Sequence, residues 1–267
     1  MNIRSIKKYL PWPLRYLYQK TYYLPKDVPA ALAFIFHQTK FPTKFFDRVK
    51  LVFAFYRISY FVDCPHTEHE LLSIARQILN LTVPGIIVEA GAFHGGSTLK
   101  LSLVAKLCAR ELFVFDSFEG MPENTETHGK SIFGREHRFP KGSHAVQLEE
   151  VKQNVSRYGD IKRCQFFKGW LSDTLPKLQE PVAAACMNVD LVQSTKDGIK
   201  YLYPLISKGG IIFSQDGHFP WIIKLLDDNT FWQKEIGVAK PNMDGLGTSK
   251  LVAIFVLSAG IGPTLEG

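Results

Sequence analysis

The residues with the clearest chemical potential stand in the stretch 88–97, which reads VEAGAFHGGS. An apolar run at 86–88 is followed by the carboxylate of Glu89, then by a glycine-rich turn and a helical pattern. Glycines suit such a turn because the backbone must bend sharply and approach a ligand without an intervening Cβ. The pattern predicts a parallel strand whose carboxyl end opens into a small-molecule pocket.

The glycine spacing indicates which small molecule this pocket takes. The turn has Glu-x-Gly-x-x-x-Gly-Gly, not the Gly-x-Gly-x-x-Gly of dinucleotide-binding proteins. S-adenosylmethionine fits this turn, since it has no pyrophosphate to bind and its cationic amino-acid end can be held by an acidic residue. An ordinary strand–turn–helix joint is the alternative. The predicted cofactor contacts from this stretch are Glu89, Gly91, Phe93, Gly95 and Ser97.

A second apolar strand, at 112–116, also ends in a carboxylate. Asp116 stands about 20 residues past the glycine turn, where a carboxylate can accept hydrogen bonds from both hydroxyls of a ribose. A helix N-cap is the alternative role for Asp116, and core packing is the alternative for Trp170. The predicted neighbours of the nucleoside are Ser117 and Phe118, directly after this strand, and Gly169 and Trp170, after the third.

Polar groups follow the fourth and fifth predicted strands, where a methyl acceptor would lie. The fourth strand ends in Asp190, which is also expected to contact the cofactor, and the fifth is followed by Asp216 and His218. A hydroxyl that attacks a sulfonium methyl must lose its proton or be polarised by a metal, so Asp190 and His218 are the candidate general bases. Helix capping is the alternative for both residues.

Elements that would position these residues alternate regularly from residue 64 onward. Strands that are apolar throughout, separated by amphipathic helices, predict an α/β fold with a parallel sheet covered on both faces. Thr67 and Glu70 predict a capping box at the first helix. The predicted strands are 86–90, 112–116, 164–168, 182–190, 210–215 and 250–257. Two predicted helices start at residues 67 and 97, and three others span 147–158, 195–206 and 220–235.

Two segments stand apart from this alternation. Residues 1–63 are basic and aromatic, are interrupted by prolines at 11, 13, 25, 29 and 42, and precede a domain expected at 64–267. They predict a helical appendage that packs on that domain, forms a homo-oligomer contact or lies on a membrane surface. The polar segment 120–146 is long for a plain loop, which indicates a lid over the site.

Composition narrows the class of protein. The 267 residues are 46% hydrophobic, enough for a full core, and the four cysteines form no Cys-x-x-Cys pair. This pattern predicts reduced thiols in a cytoplasmic protein. The net charge of +7 is not gathered into one basic stripe, so no specific nucleic-acid partner is expected. No apolar run approaches the ~18 residues of a membrane span, and Pro11 and Pro13 follow the basic Arg4, Lys7 and Lys8 too closely for a signal peptide.

Five stretches together resemble the macrocin O-methyltransferase (TylF-type) family: 88–97, 115–122, 168–176, 190–195 and 209–216. The resemblance spans roughly residues 64–257. It implies a Rossmann-like class I methyltransferase fold that uses S-adenosylmethionine, with the 120–146 insertion folded over the active site. Characterised members methylate hydroxyls of sugars attached to antibiotics, and magnesium holds neighbouring hydroxyls of the acceptor.

The chain departs from the family at the magnesium ligands. Family members have Asp-x-Asp at the fourth strand and Asp-Asp at the fifth, whereas this chain has Asn188 and Gln215 at two of these positions. Asp190 and Asp216 remain as candidate Mg²⁺ ligands; metal-free proton transfer to His218 or Asp190 is the alternative.

The leading hypothesis is an S-adenosylmethionine-dependent O-methyltransferase that acts on a small hydroxylated, sugar-containing acceptor. One alternative is a cofactor-binding protein that has lost catalysis. Another is a methyltransferase for a different class of acceptor, such as nucleic acid. A nicotinamide-dependent oxidoreductase is disfavoured by the glycine spacing.

Overall fold

The protein's structure, a computed structural model, describes residues 11–256, without the side chains of residues 12, 13, 15, 16, 18 and 19. Arg4, Lys7 and Lys8, and residue 257 of the last predicted strand, lie outside that range. The helices are α1 (Trp12–Phe36), α2 (Phe45–Phe61), α3 (Glu68–Leu79), α4 (Gly96–Leu107), α5 (Leu148–Tyr158), α6 (Leu171–Thr174), α7 (Val192–Leu202) and α8 (Pro220–Asp227). The strands are β1 (Ile86–Ala90), β2 (Leu112–Asp116), β3 (Cys164–Lys168), β4 (Val182–Met187), β5 (Ile206–Ser214), β6 (Met243–Asp244) and β7 (Val252–Phe255).

The strands form a seven-stranded sheet in the order β3-β2-β1-β4-β5-β7-β6. The pairs β2–β3, β1–β4 and β4–β5 are parallel, which confirms the α/β class. The expectation of an all-parallel sheet is wrong at one edge, where β7 pairs antiparallel with both β5 and β6. The physical reason is a hairpin: Gly245 and Gly247 take positive φ between β6 and β7 and reverse the chain without a crossover helix.

Several predicted boundaries shift for identifiable reasons. The fourth strand ends at Met187 instead of residue 190, because Asp190 has a φ of +60° that is incompatible with an extended strand. The fifth begins at Ile206 instead of 210. Gly209 and Gly210, a pair that is typical of a helix end, lie inside this strand, where a Cβ on Gly210 would stand 2.6 Å from the Ala183 carbonyl oxygen. The predicted helix 220–235 divides into α8 and a π-helix, Phe231–Ile236.

The chain divides into two compact units, and the first comprises residues up to 82 with 91–124 and 140–170. Its helix α1 continues through Pro25 and Pro29, which were expected to interrupt it. Each proline removes one helical hydrogen bond, yet α1 is fixed by ionic contacts of the buried Asp27 carboxylate. Asp27 accepts hydrogen bonds from Lys20 Nζ at 2.6 Å and from His69 Nδ1 at 2.8 Å, which ties α1 to α3. The predicted capping box at Thr67 is present at the start of α3.

The second unit comprises residues 83–90, 125–139 and the chain from 171 onward. Its core is built on β4, whose six residues are all buried, and on the inner parts of β5 and β7. Trp232 is fully buried beside them and donates its indole N–H to the Leu226 carbonyl at 2.8 Å. Within residues 11–256, none of the helices combines the length and apolar character that a membrane crossing requires.

Candidate active site

The glycine turn of the first unit is closed by the carboxylate of Asp116. The amide of Ala92 donates to Asp116 Oδ2 at 2.6 Å, and the amide of Phe118 donates to Oδ1 at 2.7 Å. Gly91, with a φ of +91°, donates its own amide to the Phe115 carbonyl at 2.9 Å. Asp116 is half-buried, and each carboxylate oxygen retains a further lone pair. The carboxylate that the sequence analysis assigns to a ribose therefore lies directly against the glycine turn.

The rest of the turn is shaped by close packing. Gly95 takes a φ of +83° at the N-terminus of α4, and a Cβ there would stand 3.0 Å from Val151 Cγ1. Phe93 also has a positive φ, +51°, and its ring meets His144 edge-on with centroids 5.5 Å apart. Ser97 is buried in the first turn of α4. These residues therefore fix a left-handed bend that leads into a helix N-terminus.

The predicted nucleoside neighbours of the first unit differ in how open they are. The Phe118 ring is only 2% exposed, so an adenine would reach it only if neighbouring side chains moved. Ser117 is buried and donates its hydroxyl to the Gly120 carbonyl at 3.1 Å. Gly169 donates its amide to the Asp116 carbonyl at 3.0 Å, and Trp170 beside it is 37% exposed. Trp170 is therefore the better placed of the two aromatic rings to stack on a base.

In the second unit, Asp216 organises the loop that follows β4. Asp216 is fully buried, and its Oδ2 accepts the amides of Val189 at 2.9 Å and of Asp190 at 3.1 Å. Its Oδ1 is buried without a hydrogen-bond partner among the residues that the structure describes. Burial raises the pKa of Asp216 to about 6, although the two amides and Lys250 oppose the shift.

Asp190 is held in an unusual backbone conformation by these contacts. Its φ of +60° lies in the left-handed region, which disfavours residues other than glycine. Its amide donates to Asp216, and its carbonyl accepts the Trp221 Nε1–H at 2.9 Å. Burial and the neighbouring Asp216 charge raise the pKa of Asp190 well above its usual range. Asp190 is therefore a carboxylate with a higher affinity for a proton than an exposed aspartate has.

His218 lies in an aromatic setting two residues beyond Asp216. Its ring is buried, 3.9 Å from the Phe219 centroid and 5.8 Å from that of His137. Burial, followed by the charge of Lys250, lowers the pKa of His218 to about 3. Nδ1 is buried without a hydrogen-bond partner in the described part of the chain. The imidazole is thus neutral at physiological pH and a weak proton acceptor.

Residues 125–139, the middle of the predicted lid, pack in the same unit as His218. The Ile132 amide donates to the His218 carbonyl at 2.9 Å, and the His128 ring meets Trp221 edge-on with centroids 5.3 Å apart. Glu126 accepts the amides of Val192 at 2.7 Å and Gln193 at 3.0 Å, at the N-terminus of α7. Sequence reasoning missed Glu126, because a lone acid in a polar loop carries no spacing signal.

The remaining predicted residues are a strand carboxylate and the metal-ligand positions. Glu89 is buried near the end of β1. Gln215 is buried and Asn188 half-buried, so two neutral amides accompany Asp190 and Asp216. Across residues 11–256, no group of three or more His, Cys, Asp or Glu side chains is arranged to hold a metal ion.

Two curated proteins are similar to this chain in sequence. One curated relative, from Streptomyces olivaceus, is 34% identical over 169 residues, which are 58% of this chain and 64% of the relative. It is named 8-demethyl-8-(2,3-dimethoxy-alpha-L-rhamnosyl)-tetracenomycin-C 4'-O-methyltransferase. Demethyldecarbamoylnovobiocin O-methyltransferase from Streptomyces niveus is 30% identical over 168 residues, with the same coverage. The chain thus spans just under two thirds of the length of these curated relatives.

Solved structures give the same result for the fold. The O-methyltransferase NovP matches with a TM-score of 0.58 at 26% identity, over 70% of this chain and 79% of its own. The calicheamicin methyltransferase CalS11 matches with a TM-score of 0.55 at 19% identity, over 87% of this chain and 91% of its own, which is a likeness of fold alone. The architecture is that of the Rossmann-like class I methyltransferases. A family model described as macrocin-O-methyltransferase (TylF) matches residues 67–234, and the chain belongs to that family.

Proposed function

We propose that this protein is an S-adenosylmethionine-dependent O-methyltransferase that acts on a hydroxyl of a small, sugar-containing acceptor. The contact between Asp116 and the glycine turn carries the proposal, since it places a carboxylate with open lone pairs at the end of β2. Family membership supports the reaction class. The names of the two curated relatives, an O-methyltransferase of a rhamnosyl tetracenomycin and one of a novobiocin precursor, support a sugar-bearing acceptor.

The donor half of the proposal rests mainly on the first unit. Asp116 accepts the ribose hydroxyls through the lone pairs that the two backbone amides leave open. Trp170 offers an exposed ring to the adenine. Gly91 and Gly95 bend the backbone where the cofactor would approach, and Glu89 is the acidic group for its ammonium end. When bound, the cofactor supplies an electrophilic methyl group.

The acceptor half rests on the second unit. Asp190 takes the proton of the acceptor hydroxyl as the oxygen–methyl bond forms and the sulfur–methyl bond breaks. A general base works best when its pKa lies near the operating pH, and the upward shift of the Asp190 pKa moves it toward that range. The neutral His218 is a poorer base because of its lowered pKa, so we assign it to acceptor orientation.

A metal ion has only a partial ligand set here. Mg²⁺ prefers hard oxygen ligands, and Asp190 with the unpartnered Oδ1 of Asp216 would hold it, where it would polarise the acceptor oxygen. Asn188 and Gln215 replace two carboxylates with neutral amides. We propose that the reaction does not require Mg²⁺ and that EDTA leaves the rate unchanged. A loss that Mg²⁺ restores would instead assign Asp190 and Asp216 as its ligands.

The direct test of this function is transfer of labelled methyl from S-adenosylmethionine to a panel of hydroxylated glycosides, followed by mass spectrometry of the products. We expect a mass gain of one methylene on a sugar hydroxyl with the wild type, and product formation at least about 100-fold slower with Asp190→Asn. Glu149→Gln, a change at an exposed acid on α5, serves as the matched control and keeps the wild-type rate.

The amides at 188 and 215 favour a second candidate, a protein that binds the cofactor without catalysis. Both candidates predict saturable binding of S-adenosylmethionine, whereas only the first predicts product. Incubation of the labelled donor with cell extract separates them. Label in any acceptor, dependent on Asp190, eliminates the non-catalytic candidate.

A further inference from the structure

The N-terminal helices carry an exposed apolar surface that the proposed reaction does not use. On α1 we define the α1 stripe as Leu14, Leu17, Leu24, Val28, Leu32 and Phe36, all exposed. Their spacing follows the helical repeat and places them on one face. The opposite side of α1 faces its unit through the buried Asp27 and Phe34. Helix α1 therefore has an apolar face that is turned outward, opposite the face that packs on its unit.

Helix α2 presents a comparable face in which aromatic rings and cations alternate. We define the α2 stripe as Phe46, Lys50, Phe53, Arg57 and Phe61, which recur at intervals of three or four residues and are all exposed. Phe46 is 72% and Phe53 71% exposed, values that are high for phenylalanine. Leu51, Phe55 and Ile58 fill the buried face instead. The exposed rings are therefore not needed for the core, because the opposite face of α2 already supplies buried apolar side chains.

The two stripes meet where the helices join. Phe36 at the end of α1 lies 5.8 Å from Phe45, and Phe45 lies 5.6 Å from Phe46, measured between ring centroids. All three rings are exposed. The two stripes therefore meet at the joint between the helices. Together they form one exposed surface that is apolar except for Lys50 and Arg57, and it is larger than the single exposed apolar side chains that ordinary protein surfaces carry.

Charge indicates what this surface contacts. Residues 1–63 contain 11 Lys and Arg against 3 Asp and Glu, a net charge of +8, while the whole chain carries +7, so residues 64–267 carry −1. Among the side chains described in residues 11–63, the exposed cations are Lys26, Lys40, Lys44, Lys50 and Arg57. No acidic group of residues 11–256 forms an ion pair with them. Basic and apolar groups are thus concentrated on the same helices.

We propose that the α1 and α2 stripes bind an anionic lipid membrane, with both helices lying in the interface. Exposed Leu, Val and Phe side chains gain free energy by entering the acyl region, and Lys and Arg gain about 1 kcal/mol each near anionic headgroups. A second copy of the chain fits less well, because pairing the same face would bring the exposed cations Lys50 and Arg57 of two copies together. Nucleic acid would satisfy the cations but offers no hydrocarbon to the leucines of the α1 stripe.

The surface also lies outside the residues that the family model matches. The family match begins at residue 67, whereas α2 ends at Phe61. Membrane attachment would therefore be a property of this chain's own N-terminal region, and it does not depend on the proposed reaction.

Cosedimentation of the full chain with lipid vesicles tests the proposal. We expect the wild type to pellet with vesicles of phosphatidylglycerol and phosphatidylcholine, and not with phosphatidylcholine alone. Phe46→Ser with Phe53→Ser, and separately Lys50→Glu with Arg57→Glu, should weaken binding about tenfold or more. Lys177→Glu with Lys208→Glu, at exposed positions of the second unit, makes the same charge change and should bind as the wild type does.

Three results would overturn the proposal. One is no binding to anionic vesicles, and another is equal loss of binding in the control variant. The third is a solution dimer, seen by analytical ultracentrifugation, that Phe46→Ser with Phe53→Ser dissociates, since this would assign the stripes to a second copy. Thermal melting of each variant, with a midpoint near that of the wild type, ensures that lost binding is not lost folding.

Discussion

Asp216 Oδ2 accepts the backbone amide of Asp190 at 3.1 Å, and the same oxygen accepts the amide of Val189. The fully buried carboxylate thereby holds Asp190 in a left-handed conformation that a residue with a side chain rarely adopts. Asp216 is therefore a positioning residue for Asp190. Burial raises the Asp190 pKa most, and the charge of Asp216 raises it further, so Asp216 contributes to both the orientation and the basicity of the proposed base.

Removing the Asp216 side chain should release the loop after β4. Asp216→Ala leaves two buried amides without an acceptor, and we expect unfolding to become easier by about 2–4 kcal/mol together with a large loss of kcat. Asp216→Asn keeps an acceptor oxygen and should retain most of the stability, because the loop remains held. Chemical denaturation and steady-state kinetics on both variants check this. A fully active Asp216→Ala would contradict the positioning role.

The two candidate bases should respond differently to substitution. Asp190→Asn should lower kcat by about 10²–10⁴-fold while leaving the dissociation constant of the cofactor nearly unchanged. His218→Ala should change kcat less than tenfold and raise the KM of the acceptor, because a histidine with a pKa of about 3 carries little of the proton transfer. A loss in His218→Ala as large as that in Asp190→Asn would return the histidine to the role of base.

The pH dependence follows from the raised carboxyl pKa values. A raised folded-state pKa means that folding favours the protonated form, so the contribution of Asp216 to stability is full below about pH 4 and is lost as the pH rises through about 6. Asp216→Asn has no carboxyl group to titrate and therefore lacks this loss. Between pH 4 and pH 7, we expect its free energy of unfolding to rise by roughly 1–3 kcal/mol relative to that of the wild type. Urea denaturation across that range measures the difference; parallel curves for the two proteins would contradict it.

Catalysis should have the opposite trend with pH. The proposed base must be ionised, so kcat/KM should rise with pH, with its acid limb centred above the usual range of an aspartate. His218→Ala should retain this limb. A rate that is already independent of pH at pH 5 would mean that Asp190 is not the titrating group.

Glu126 should anchor residues 125–139, the middle of the predicted lid, to the N-terminus of α7. Glu126→Ala removes the acceptor of two helix N-terminal amides, so we expect a raised acceptor KM and faster proteolysis between residues 125 and 139. Glu123→Ala is a suitable control, since that acid is exposed and, among the side chains that the structure describes, forms an ion pair only with Lys141. Equal proteolysis rates for both variants would show that Glu126 does not restrain the segment.

Much of this arrangement could be predicted from local patterns. Buried strands are apolar runs of a few residues, so β1 and β2 match their predicted bounds, and the less buried β3 matches as well. The carboxylate predicted at the end of β2, Asp116, lies against the glycine turn. The left-handed Asp190 could not be predicted, because the acceptor of its amide lies 26 residues away in the sequence. The same holds for Glu126, whose partner is 66 residues away. Gly210 misled the prediction of where β5 begins, because close approach to the backbone of a neighbouring strand requires glycine as much as a turn does.

Binding of S-adenosylmethionine by isothermal calorimetry, with wild type and Asp116→Ala side by side, tests the central claim most directly. The wild type should bind one equivalent saturably, and Asp116→Ala should bind at least about tenfold more weakly, since it loses the ribose acceptor and the amide contacts that shape the turn. Absence of saturable heat with the wild type, or equal affinity in the folded variant, would contradict the account.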